Sequence, residues 1–198
     1  MFIKHNLVYF GFPKCASELI RKSLKLKWIT HDNSAPWDAC SVNYCHVRPI
    51  RFITRYNVTS KDITLFTVVR NTYERLVSLW TFWTMKKMNP YKTFEEFIYT
   101  IYENRDNLEK LPMCWMFMPF EKYFEGVLDR LMIFQMTELE KVENLLSRYG
   151  VSLDTSKKVN TSKHDHYSTY YTSEMERMIY EVYKYEIDRF GYVFERIF

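Results

Sequence analysis

Three short runs of continuously apolar residues, each handing over to a stretch of helical periodicity, constrain this chain more than any other feature. They are Asn6 to Phe12 (NLVYFGF), Ile63 to Val69 (ITLFTVV) and Leu131 to Gln135 (LMIFQ). Strands apolar on both faces are those of parallel sheets, and strands alternating with helices imply crossover connections. The helical stretches fit. Ala16 to Trp28 carries Leu19, Ile20, Ser23, Leu24 and Lys27 at helical spacing. Asn71 to Met85 opens with Asn71 and Glu74 spaced as a capping box. A helix from Thr93 has Glu96 three residues on and Phe94, Phe97, Ile98 and Ile101 on one face. Another is capped by Thr137 with Glu140 and stopped by Gly150, and the last runs from about Thr172 to Phe190, closed by Gly191. Ser152 to Thr169 reads as a polar loop. The expectation is an α/β fold in one domain, residues 1–198, with ligands at the carboxyl ends of the strands.

Composition narrows the partners. Of 198 residues 47% are hydrophobic and 26% charged, so a packed core is affordable and disorder is not expected. The net charge of +4 suits an anionic ligand but is too small to imply nucleic acid. The start, Met1-Phe-Ile-Lys-His-Asn, does not read as a signal peptide, and no apolar run is long enough to span a membrane. Cys15, Cys40, Cys45 and Cys114 lack metal or disulfide spacing and read as free thiols. A cytoplasmic protein without membrane insertion is expected.

Two strand ends carry the chemistry. The first strand runs into Phe12-Pro13-Lys14-Cys15-Ala16-Ser17 and a helix, a turn whose backbone N–H groups suit phosphate. Lys14 adds a point charge and Ser17 a hydroxyl. This is not the nucleotide-kinase loop, which needs Ser or Thr directly after its Lys. The second strand ends in Arg70, followed by Asn71-Thr-Tyr-Glu-Arg75-Leu-Val-Ser78. Arg70 offers a planar fork to a phosphate, and Ser78, two helical turns on, returns to the same end.

VYFGFPKCASELIRKSL resembles the 5′-phosphosulfate loop of sulfotransferases, written PKTGSTSL or PKTASTS. TLFTVVRNTYERLVSLW resembles their 3′-phosphate element, strand–R-[DN]-P-x-x-R-x-x-S. Asn160-x-Ser162, Tyr167-x-x-Tyr170-Tyr171-Thr172 and Ile187-x-x-Phe190-Gly191-Tyr192 resemble the closing pattern of the carbohydrate group, which includes the heparan and chondroitin enzymes of 2-O type. The resemblance implies a P-loop-kinase-like three-layer fold with a central, mainly parallel sheet flanked by helices, and 3′-phosphoadenosine 5′-phosphosulfate (PAPS) as donor. It assigns Lys14, Cys15, Ala16 and Ser17 to the 5′-phosphosulfate, Arg70 and Ser78 to the 3′-phosphate, and Ser162 and Lys163 to a loop over the donor. His46, in a segment similar to the GHV segment of the 2-O enzymes, becomes the general base, and Lys14 the cation on the leaving phosphate.

Two positions depart from the pattern. Glu18 stands where the family has Ser or Thr, a repulsive charge unless it pairs with Arg21 or Lys22. Thr72 replaces a Pro. Arg48 and Arg51, with Arg55, form a cationic patch assigned to the acceptor, a hydroxyl compound, expected to be a glycan or another small molecule. Trp80, Phe82 and Trp83 are either sugar-stacking or core aromatics. His164 and His166 lack a third metal ligand, and no metal is expected. The competing expectations are a nucleotide binder without turnover and a small-molecule kinase.

Overall fold

The computed structural model describes residues 2–4, 6–24, 49–50, 54, 63–153 and 164–197. His46, Arg48, Arg51, Arg55, Ser162 and Lys163 lie outside the described residues. The chain is mixed α/β. β1 (Phe2–Lys4) pairs antiparallel with β2 (Leu7–Tyr9), and β2, β3 (Thr64–Val69) and β4 (Leu131–Gln135) run parallel, in the order β1-β2-β3-β4. The register places Leu7 opposite Thr64 and Val69 opposite Gln135. All three expected strands are present, and β1 is an addition that its short, charge-flanked sequence did not announce.

Among the described residues the longer helices are α1 (Ser17–Ser23), α2 (Thr72–Met85), α3 (Phe94–Glu103), α4 (Leu139–Ser147) and α5 (Ser173–Phe190), with a one-turn helix at Phe120–Tyr123 and several 3₁₀ turns. None among the described residues is long and apolar enough to cross a membrane. Their ends follow the capping chemistry with one shift, at Thr137. Asn71 caps α2 by accepting from the Tyr73 amide at 3.0 Å, and Thr93 caps α3 by accepting from that of Glu96. Thr172 caps α5, and Gly191 ends it at φ 67°, the left-handed conformation that favours glycine. Thr137, however, falls in a 3₁₀ turn. The capping box there is Gln135 with Glu138, because the chain leaves β4 through a tight turn before α4 begins. For α1, the expected stretch beyond Leu24 lies outside the described residues.

The chain groups into two compact units, 1–70 with 123–161, and 71–122 with 162–198. In the first, β2 and β3 turn Leu7, Tyr9, Phe66 and Val68 onto Ile20 and Leu24 of α1 and Val142, Leu145 and Leu146 of α4. In the second, Arg75 of α2 and Glu186 of α5 form an ion pair at 3.2 Å, both side chains almost wholly buried. The Glu186 carboxylate also accepts from the Thr72 hydroxyl and the Phe120 amide, each at 2.6 Å. Arg75 donates to the Met116 carbonyl at 3.3 Å and lies over the Tyr183 ring. These bonds to the remaining lone pairs and protons offset part of the cost of burying the pair.

Candidate functional site

The loop after β2 is built by its own side chains. Pro13 presets one φ of a turn closed by the Cys15 amide donating to the Phe12 carbonyl at 3.3 Å. In a type II turn the residue after the Pro takes positive φ, and Lys14 does so at 66°. Ala16 follows at 55°, so left-handed residues recur at positions 14 and 16 of the loop. The left-handed conformation costs a non-glycine residue about 1–2 kcal/mol. Ala16 occupies the place that the sulfotransferase pattern fills with Gly or Ala, and its backbone shows why glycine suits it.

The Ser17 hydroxyl donates to the Phe12 carbonyl at 3.1 Å and faces the Tyr9 hydroxyl at 3.3 Å, while the Cys15 thiol, fully buried, meets the Pro13 carbonyl. Cys15 and Ser17 thus spend an amide, a thiol and a hydroxyl on holding the loop. Gly11 is required by this packing, since a Cβ there would come 2.9 Å from Ser17 Oγ. Tyr9 gave no signal in the sequence beyond strand propensity, yet its hydroxyl braces the loop from below. Burial pushes that phenol far above its usual range.

Lys14 and Arg70 are brought together from the ends of β2 and β3. Burial, reinforced by the neighbouring Arg70 guanidinium, pushes the Lys14 ammonium down from 10.5 to about 8. A half-buried lysine beside an arginine makes this strand end electropositive, which suits a ligand with several negative charges. Glu18 does not oppose it, because its carboxylate pairs side-on with Arg21 (Nε at 2.8 Å) and lies 3.9 Å from Lys22. That pairing holds its carboxyl below the usual range.

Ser78 is buried within α2 in the second unit, 4% exposed. Arg75, the second arginine of the R-x-x-x-x-R-x-x-S pattern, is committed to Glu186 and is structural. Glu186 was missed by sequence reading, though a carboxylate in the apolar series Ile179, Tyr183, Ile187 of α5 was the available signal. Of the candidate sugar-stacking aromatics, Trp83 is wholly buried against Phe97 and Phe117. Trp80 packs edge-on to Phe94 and Tyr170. Trp83 is therefore core. His166 Nδ1 lies 2.9 Å from the Ser168 hydroxyl, and among the described residues no group of three metal-type ligands occurs.

Comparisons with protein families, with curated proteins and with solved structures found no match.

Proposed function

We propose that the protein is a PAPS-dependent sulfotransferase, on a P-loop-kinase-like fold, that transfers a sulfuryl group to a hydroxyl acceptor, a carbohydrate. The observation that carries this reading is the Lys14–Arg70 pair at the ends of adjacent parallel strands, with left-handed residues 14 and 16 in the loop between strand and helix. Carboxyl ends of parallel strands are where such sheets bind ligands. Two cations held together there fit a donor bearing both a 5′-phosphosulfate and a 3′-phosphate. In this reading Lys14 takes the 5′ end and the charge of the leaving phosphate. Arg70 and Ser78 take the 3′-phosphate, Ser162 and Lys163 cover the donor, and His46 removes the acceptor proton. Sulfuryl transfer then depends on positioning and charge stabilisation, by analogy with phosphoryl transfer.

Calorimetry with 3′-phosphoadenosine 5′-phosphate (the bisphosphate product) and with ATP tests the reading. Tighter binding of the bisphosphate is expected, and tighter binding of ATP refutes it. Bisphosphate binding without sulfate transfer to any hydroxyl acceptor would leave a nucleotide-binding protein without turnover.

A further inference from the structure

The second unit contains a groove of about 760 Å³ between α5 and the segment that follows it. Its walls include the rings of Tyr73, Tyr180, Tyr192 and Phe194, and its polar groups include Glu176 and Asp188. Tyr73 is only 3% exposed. Its amide and carbonyl are engaged, with Asn71 and with Tyr171, but its hydroxyl makes no hydrogen bond among the described residues. Tyr73 lines the groove together with Glu176, Tyr180 and Asp188, and burial, then the Glu176 carboxylate, push its phenol up. The oxygen is open to the groove rather than sealed in the core, so a ligand in the groove can bond it.

The charges around it decide what fits. Glu176 is already met by Arg196, at 2.6 Å, and Arg177 by Glu181. Asp188 is left with the Tyr180 hydroxyl at 3.1 Å. An anionic ligand would face Asp188 and Glu176. A cation gains little from one exposed carboxylate in water. What remains is a neutral ligand with several hydroxyl donors and an apolar face. The donors suit Asp188 and the Tyr73 oxygen, and the face packs against the aromatic walls.

We infer that this groove is a saccharide subsite for a neutral pyranose, formed by the Tyr73 hydroxyl, Asp188 and the Phe194 and Tyr180 rings. That the bound sugar belongs to the acceptor rests on the sulfotransferase reading; the binding itself does not. Asn71, the residue after Arg70 in the chain, donates to the Val193 carbonyl in the groove wall at 3.3 Å, which ties the subsite to the start of α2.

The test is saturation-transfer NMR on the full chain without donor. The neutral probes are lactose, maltose and N,N′-diacetylchitobiose, glucosamine is the cation and a heparin disaccharide the anion. A neutral probe should bind, and Tyr73→Phe should weaken it about 3- to 10-fold, the worth of one neutral hydrogen bond. Asp188→Asn should weaken it too. Because the Tyr73 hydroxyl has no partner to lose, Tyr73→Phe should keep the wild-type melting temperature and bisphosphate affinity. Failure of all three neutral probes, insensitivity to both substitutions, or tighter binding of glucosamine or the heparin disaccharide overturns the inference. Loss of bisphosphate binding in the wild type would overturn the proposed function instead and leave the subsite standing.

Discussion

Replacing Lys14 by Met should make the unliganded protein more stable at neutral pH. The Lys14 ammonium titrates at about 8 in the fold against 10.5 ordinarily, so the charged form is disfavoured by on the order of 3 kcal/mol. Part of the side chain keeps its water, which trims the figure to about 1–3 kcal/mol. The sign follows from proton counting. Between about 8 and 10.5 the unfolded chain holds a proton that the folded one has lost, so wild-type stability rises with pH across that window. Below about 8 the penalty is present in full. In thermal melts at pH 7, Lys14→Met should therefore melt roughly 2–12 °C above wild type, and the gap should narrow towards zero near pH 10. Bisphosphate binding should invert the order. The bound anion restores the Lys14 proton, so wild-type affinity should fall by up to about tenfold per pH unit above 8, a slope the Met variant lacks. A variant that melts below wild type at pH 7, or a gap that ignores pH, would refute the claim that Lys14 is held under electrostatic strain.

Other substitutions separate binding, chemistry and structure. Arg70→Ala should weaken bisphosphate binding by about 1.5–3 kcal/mol for each charge-assisted bond lost, and calorimetry showing unchanged affinity would place the 3′-phosphate elsewhere. His46→Ala should keep donor affinity and lower turnover roughly 10²–10⁴-fold, and a folded variant with wild-type turnover would remove His46 as the base. Glu186→Gln leaves the Arg75 charge buried without its counter-ion and should cost about 3–5 kcal/mol in denaturant melts. Ala16→Gly relieves a left-handed alanine and should raise stability by up to about 1 kcal/mol. A clear loss would mean that the loop conformation costs nothing.

The parallel strands and most helix ends were legible because they depend on local chemistry. A continuous apolar run such as ITLFTVV has few alternatives, and Asn71, Thr93, Thr172 and Gly191 act within a few residues of themselves. Thr137 misled because its turn chemistry was displaced by the geometry of the chain leaving β4, which made Gln135 and Glu138 the cap. Lys14 and Arg70 were legible as strand-end cations, but not as neighbours that repel, since their proximity comes from the β2–β3 register. Ser17 is legible as a hydroxyl in the loop, but not its bond to the Phe12 carbonyl, a contact set by the turn at Pro13. Glu186 and Tyr73 could be placed on helices from sequence. Their partners lie far along the chain and needed tertiary structure to find.

The Arg75–Glu186 pair sets an order of events during synthesis. The two units are interleaved in the chain, and residues up to 161 suffice for the first. The second must wait, because its charge centre joins residues 111 positions apart. While the ribosome adds those residues, Arg75 has no buried counter-ion and keeps its charge in water. Closing a loop of that length late makes the second unit the slower to complete. Its apolar face, with Trp83 and Phe97, is exposed for longest, so released fragments ending between residues 161 and 186 lack Glu186 and should be adhesive through the second unit.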